Sequence, residues 1–392
     1  MNVPEELSRK RGERLNALTH TGPDTLMGQL LRRFWQPVAV SKHLNAGSAK
    51  PIRIMCENLT LYRSDDGNAH LVGAYCAHRR SLLHTGWVEG EEIRCIYHGW
   101  KFDGTGQCTL RPAERDTAMP NITIPGYPVH EYGGMIFAYL GPGEPPAFEL
   151  PRKPSFEGNG FHVVRRQVWP CNWLQLVENS LDALHVSFVH ARGGAGRFIE
   201  NVSQILPELD YVETEAGIRQ IATRGPDNVR ISDWTFPNNN HIKLPGPLKD
   251  GPWIDAGIWN VPIDDTQTMR LNIYAMPSLG KEIDDKLMAE WEAHENYDPS
   301  HHHDELLYHN AYPEDHHSDL TNAQDYVAQV GQGTVADREN EILGRSDAGL
   351  AFLRRLFFRE LDLIRENEPT KAWHLLDHPV DLPTQHAGSV AG

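Results

Sequence analysis

Two short stretches of the chain gather residue types that hold metals. The first reads Cys76-Ala77-His78 and, after sixteen intervening residues, Cys95-Ile96-Tyr97-His98. Two Cys and two His in paired short spacings most often bind one zinc ion. Here each pair mixes one thiol with one imidazole, which equally suits an iron–sulfur cluster with Cys₂ on one iron and His₂ on the other. The second stretch runs from Asn172 to His190. Asn179, Asp182 and His185 recur every three residues, so on a helix they share one face. His190 lies five positions beyond His185, roughly 140° off that face at 100° per residue. It reaches the same metal only if the helix ends or bulges near residues 186–189, and Gly193, Gly194 and Gly196 favour a termination there. Two neutral imidazoles with one carboxylate form a facial set that binds Fe(II) and leaves positions open for O₂. Taken alone, His-x₄-His is more simply two ordinary histidines on an amphipathic helix.

The elements that must position these residues follow from pattern. A short helix is predicted from about Thr25 until Pro37 stops it. Short β-type runs follow at Ile52–Met55, Leu59–Tyr62, Leu71–Tyr75, Ile93–Ile96 and Met135–Leu140, separated by turns such as Asp65-Asp66-Gly67-Asn68 and Asp103-Gly104. Each metal-type loop follows a β run. The Pro-rich stretch at 141–154 reads as a linker. Beyond it come a helical pattern over 171–190, strand-like runs at Ile218–Ala222, Ile231–Trp234 and Thr268–Ala275, and a polar, His-rich surface segment at 294–320. A last helix is expected over about Asp347–Asn367, with Ser346 as N-cap and Leu350, Leu353, Leu356, Phe357 and Leu361 on one stripe. The layout is α+β: an N-terminal helical segment (1–40), an antiparallel β domain (41–145) and an α+β domain (146–392).

Composition narrows the function classes. The 392 residues suffice for two or three domains. Thirty-seven basic against 53 acidic side chains give a net charge of −16, which argues against nucleic acid or an acidic membrane surface as partner. A small anionic substrate is not excluded, since it needs only one or two placed arginines. The first twenty residues are charged throughout, unlike a secretory signal, and no window has the run of apolar residues a spanning helix needs. Five scattered cysteines, Cys56, Cys76, Cys95, Cys108 and Cys171, fit a reducing cytoplasm better than a disulfide framework.

The segment CAHRRSLLHTGWVEGEEIRCIYHGWKFD (76–103) resembles the Rieske signature over its whole length, and Asp182-x₂-His185-x₄-His190 resembles the catalytic-iron motif of Rieske non-haem iron aromatic-ring-hydroxylating oxygenases. One departure stands in the first loop, where Arg80 replaces the usual Gly. Similarity extends to TGPDTLMGQLLRRFWQPVA, EYGGMIFAYLGPGEPP and VPIDDTQTMRLNIY, and points to the alpha (oxygenase) subunit of the phthalate dioxygenase and aromatic-acid O-demethylase branch. The resemblance implies a Rieske domain joined to a helix-grip-like catalytic domain, an antiparallel sheet flanked by helices, on which the N-terminal segment packs. It implies a [2Fe–2S] cluster on Cys76, His78, Cys95 and His98, and a mononuclear Fe(II) on His185, His190 and a distant carboxylate. That carboxylate is Asp325 within Asn322–Gln329, with Asp337 and Asp347 as alternatives. Asp182 is expected to hydrogen-bond His185 and, across a subunit boundary, His98; Asn179 is a weaker supporting candidate. Since cluster and iron within one chain of this family are too far apart for fast transfer, a head-to-tail homotrimer is implied.

The implied reaction consumes O₂ and electrons relayed from NAD(P)H by a separate reductase, with or without a ferredoxin. It hydroxylates or O-demethylates a carboxylated aromatic, of the phthalate or methoxylated lignin type. An arginine or lysine should then clamp the carboxylate, with Arg197, Arg219, Arg224 and Lys243 as candidates by position. His301, His302, His303, His309, His316 and His317 read as a solvated loop, and Cys108 and Cys171 as small buried side chains. The rival readings are an oxygenase for non-aromatic or N-methyl substrates and a pure Rieske electron carrier. Against the latter, the chain continues far past the β domain and carries the second iron motif.

Overall fold

The computed structural model describes residues 12–114, 121–150, 153–158, 160–191, 205–226, 228–244, 246, 248, 251–293, 297–309 and 320–373. The chain divides into two compact units, Leu31–Phe148 and Met1–Leu30 with Glu149–Gly392.

The first unit consists of three small antiparallel sheets. Strands β1 (Gln36–Val40), β2 (Ala49–Ile54), β3 (Glu57–Arg63), β4 (Ala69–Gly73), β5 (Trp87–Glu89), β6 (Glu92–Arg94), β7 (Lys101–Phe102), β8 (Cys108–Leu110), β9 (Gly126–Tyr127), β10 (Val129–Tyr132) and β11 (Met135–Ala138) are arranged as β1-β11-β10, β2-β3-β4-β9 and β5-β6-β7-β8. The predicted turn at Asp65–Asn68 joins β3 to β4: Gly67 takes φ +95°, and the Asp66 carboxylate accepts from the Asn68 amide at 3.2 Å. Tyr62, Val72, Leu83, Ile93, Trp100 and Phe102 form the core beneath Cys76 and Cys95. The two metal-type loops therefore stand on a rigid apolar base.

The second unit is built on one seven-stranded antiparallel sheet of β12 (Phe161–Trp169), β13 (Glu208–Glu213), β14 (Gly217–Thr223), β15 (Val229–Thr235), β16 (Asn239–Leu244), β17 (Ile254–Pro262) and β18 (Thr268–Met276), in the order β12-β18-β17-β16-β15-β14-β13. Pairings such as Arg165↔Asn272 and Ile258↔Asn272 put odd residues of β12 and even residues of β14–β18 on one face. Helices α1 (Trp173–Ser180), α2 (Lys281–Ala293), α3 (Leu320–Val330) and α4 (Ala348–Glu366) accompany the sheet. Asn172 caps α1 by accepting from the Leu174 amide at 3.2 Å. Phe357 of α4 packs against Trp173, Trp234 and Phe236, with Leu353, Leu356 and Leu361 also buried. The fold is thus α+β, with an antiparallel sheet and accompanying helices after a β domain.

Three local expectations are corrected. The helical pattern expected over 171–190 stops at Ser180, before Asp182. The last helix, expected over about Asp347–Asn367, runs Ala348–Glu366, but Asp347 rather than Ser346 stands at its N-cap: a 3₁₀ turn over Arg345–Asp347 precedes it, closed by the Asp347 carboxylate accepting from the Gly344 amide at 2.6 Å. In the His-rich segment, Pro299–His302 and His303–Leu307 are helical turns, while His316 and His317 lie outside the described residues.

Candidate metal centres

The two loops of the first unit are built alike. The Cys76 amide donates to the Ser81 carbonyl (2.9 Å) and the Arg80 amide to the Cys76 carbonyl (3.0 Å); the Cys95 amide donates to Trp100 (2.8 Å) and the Gly99 amide to Cys95 (3.0 Å). In each, the fourth residue after the cysteine turns left-handed, Arg80 at φ +59° and Gly99 at φ +72°. The Arg80 guanidinium lies 4.5 Å from the Tyr75 ring centroid, a cation–π contact that helps the non-glycine residue hold this backbone.

Both cysteines are buried side by side, and the His78 and His98 rings sit 4.5 Å apart, His78 stacked on Trp100. Burial, partly offset by the His78 amide, and the neighbouring Cys95 push the Cys76 thiol up to about 11. A thiol so placed becomes a thiolate only against a bound cation. Two sulfurs together and two imidazoles together fit a two-iron cluster with one residue pair on each iron.

In the second unit, α1 ends because Asp182 competes for the backbone: its Oδ1 accepts from the amides of Leu184 (2.8 Å) and His185 (3.2 Å). The turn continues as a 3₁₀ segment, His185–Ser187. This early break brings His190 round to His185. Their Nε2 atoms lie 3.4 Å (His190) and 3.6 Å (His185) from Oδ1 of Asp325 on α3, and the three residues form a group able to hold a metal ion. Each imidazole is held by its other nitrogen, His185 Nδ1 against the Asp182 carbonyl and His190 Nδ1 against Gln324 Oε1 at 3.0 Å. With Nδ1–H donating, each Nε2 offers a lone pair inward. Asp325 Oδ1 is buried and accepts no hydrogen bond, so the donor set fits a cation between the three.

The Asp182 carboxylate is 3.9 Å from His185 Nδ1, and its direct bonds go to the turn's amides, so it fixes this loop's backbone. Asp337 bonds Asn340, and Asp347 bonds the Gly344 amide. Gln324 carried no sequence signal beyond its place beside Asp325.

The metal group opens into a cavity of about 530 Å³ that Asn179 and Asp182 also line. Its apolar wall includes Ile242, Ile254, Ile258, Tyr274 and Trp291. Arg165, Arg224, Arg230 and Arg270 line it as well, against two carboxylates, Asp182 and Asp325. Of the cations expected at the pocket, Arg224 is there. Arg219 is tied to Asp233 at 2.8 Å, Lys243 points to the other face opposite Asp255, and Arg197 lies outside the described residues. Arg165, Arg230 and Arg270 were not singled out from sequence, although strand parity marks them: Arg270, Asn272 and Tyr274 alternate with Leu271 and Ile273.

An iron–sulfur-type β domain followed by an α+β domain with a His₂–Asp group defines an oxygenase-like class. Residues 34–128 match the Rieske [2Fe-2S] domain family. The chain is 34% identical over 401 residues to the 5,5'-dehydrodivanillate O-demethylase oxygenase subunit of Sphingobium sp., covering 96% of this chain and 87% of the relative. It is 27% identical to the phthalate 4,5-dioxygenase oxygenase subunit of Pseudomonas putida, covering 88% and 84%. Its fold is shared with the oxygenase in a solved oxygenase–ferredoxin complex of carbazole 1,9a-dioxygenase (TM-score 0.63, 20% identity, 91% and 94% covered). The chain belongs to the Rieske-type oxygenases, among oxygenase subunits of the phthalate dioxygenase and O-demethylase type.

Proposed function

We propose that this subunit O-demethylates or hydroxylates a carboxylated aromatic compound, with Cys76, His78, Cys95 and His98 holding the [2Fe–2S] cluster and His185, His190 and Asp325 holding Fe(II). The observation that carries the reading is the His₂–Asp group opening into a cavity whose wall carries both an apolar patch and four arginines. When bound, the two iron centres supply electron storage and O₂ reduction, chemistry that side chains lack.

The chain's own residues do the rest. Gln324 and the Asp182 carbonyl orient the two imidazoles. Tyr274, Trp291 and the isoleucines offer a surface for an aromatic ring, and the arginines meet its carboxylate. A separate electron donor and a head-to-tail homotrimer complete the system; the shared fold with an oxygenase solved beside its ferredoxin supports the donor. Five free cysteines suit a reducing cytoplasm, and no helix among the described residues is long and apolar enough to cross a membrane.

The test is a single turnover of chemically reduced, iron-loaded protein with O₂ and a panel of phthalates and methoxylated aromatic acids. Formaldehyde with a phenol establishes O-demethylation; a phenol or diol without formaldehyde establishes ring hydroxylation. No product from any aromatic acid, with both iron centres filled, overturns the substrate class.

A further inference from the structure

The two imidazoles of the β domain's metal-type loops have different surroundings. His98 lies against the Tyr97 ring, 3.9 Å between centroids and tilted by 37°, and Tyr97 is exposed. His78 stacks almost parallel on the Trp100 indole, 4.8 Å away at 4°, and Trp100 is buried. The same indole is covered by Arg111, whose guanidinium lies 5.8 Å from the ring. One buried indole therefore links a cation to an imidazole placed to hold the cluster.

Arg111 follows β8, and the Glu114 amide closes the next turn by donating to its carbonyl at 3.1 Å. Its guanidinium is paired with the Glu114 carboxylate, three residues on. Such a pair forms readily on a surface and contributes little there. Here the partners are unequal: the Arg111 side chain is 5% exposed and that of Glu114 39%. The cation is drawn inward, at a desolvation cost, while its counter-charge stays in solvent. The other cations of the second loop are matched more closely. Arg94 donates to the Gly99 carbonyl (3.1 Å) and holds Glu89 through Nε (2.8 Å) and Nη2 (2.7 Å), and Lys101 is paired with Glu89 and Glu92.

We propose that Arg111 raises the reduction potential of the [2Fe–2S] cluster, its charge acting through the buried indole of Trp100 on the side held by the histidines. One electron enters from the separate donor, a ferredoxin or reductase; no bond forms or breaks, and the cluster with its ligands gains one negative charge. A cation fixed nearby stabilises that charge. In a chain of net charge −16 the overall field opposes each added electron, and a buried cation close to the ligands is screened less than the surface charges. The two ring separations place the guanidinium within about 11 Å of the His78 ring, where one unit charge at an interior dielectric changes an equilibrium by about tenfold. Arg111 acts through Trp100 and is a positioning residue rather than a catalytic one. The inference rests on the cluster-ligand reading above and adds to it the residue that sets the driving force for electron delivery.

The experiment is a redox titration of the cluster-loaded protein at one neutral pH, followed by visible absorbance, for the wild type and its Arg111→Gln, Arg111→Lys and Glu114→Gln variants. Iron content and the cluster spectrum of each variant serve as the folding control. Arg111→Gln should disfavour reduction by about tenfold, a potential lower by about 59 mV for a one-electron couple. Arg111→Lys keeps the charge and should stay within about threefold of the wild type. Glu114→Gln removes the counter-charge and should move the potential upward, by a smaller factor because that carboxylate is partly solvated. A merely structural arginine would not give shifts of opposite sign at the two positions, nor be rescued by lysine. An unchanged potential in Arg111→Gln, or a fall in Arg111→Lys as large as in Arg111→Gln, overturns the proposal. If Arg111→Gln does not assemble the cluster, Glu114→Gln decides: a rise supports the proposal, and no shift or a fall overturns it. Retention of the cluster spectrum in a Cys95→Ser control would sink the ligand reading and this inference together, whereas unchanged potentials sink this inference alone.

Discussion

At the scale of single residues, Asp182 combines two tasks that substitution can separate. Its Oδ1 closes the turn that carries His185, by accepting two amides, while its negative charge lies 3.9 Å from the imidazole. Asp182→Asn keeps an acceptor oxygen for the turn and removes the charge. The variant is expected to retain both iron centres and to lose roughly 10–100-fold in turnover, the range seen when a group supporting a metal ligand is changed; iron analysis beside single-turnover yield measures both. Loss of the mononuclear iron would instead make Asp182 a ligand. The paired cluster loops allow a second comparison. Arg80 spends about 1 kcal/mol on its left-handed backbone and regains about 0.5–1 kcal/mol from Tyr75. Arg80→Gly is therefore expected to change stability by less than about 0.5 kcal/mol. Gly99→Ala places a Cβ 3.2 Å from Pro112 Cγ at φ +72° with no compensating contact, and should cost about 1–2 kcal/mol. Thermal unfolding followed by the cluster's visible absorbance distinguishes the two.

At the scale of elements, what the sequence made legible depended on how local the determining interaction was. The strand runs and the apolar stripe of α4 could be read because period and turn residues act over a few positions. The end of α1 could not, because the three-residue spacing of Asn179, Asp182 and His185 imitates a helical face. What stops the helix is a competing side-chain bond from Asp182. Likewise His185 and His190 are close in sequence, whereas Asp325, Gln324 and Arg270 arrive from distant elements, and only the register of β18 against β12 and β17 brings Arg270 to the cavity. The placement of α1 rests on another interaction that spacing does not reveal. Glu178, one turn before Asp182, is buried and accepts from Arg338 (2.8 Å) and Arg354 (2.6 Å), with Arg354 also bound to Glu341. Glu178→Gln leaves two buried guanidinium groups short of one charge. It should destabilise the protein by about 3–5 kcal/mol, read as a lowered denaturant midpoint. A loss under 1 kcal/mol would show that water or Glu341 neutralises the pair without it.

At the scale of the whole molecule, the decisive question is which chain's cluster serves which chain's iron. The family resemblance implies transfer across a head-to-tail junction, and a closed ring of three identical chains makes that a counting problem. Asp325→Ala should empty the mononuclear site and leave the cluster's visible spectrum intact, while Cys95→Ser should lose the cluster and keep the mononuclear iron. Each variant alone should be inactive. Co-expressed under two affinity tags and purified through both, a proposed homotrimer would consist of rings with two chains of one kind and one of the other. Such a ring holds one junction in three at which a chain with intact iron follows a neighbour with an intact cluster. Turnover per chain should therefore recover to about a third of the wild-type value. Transfer confined within a chain predicts no recovery, because no chain in the mixture has both centres. A monomer predicts none either, and yields no doubly tagged material, so the purification itself separates those two failures.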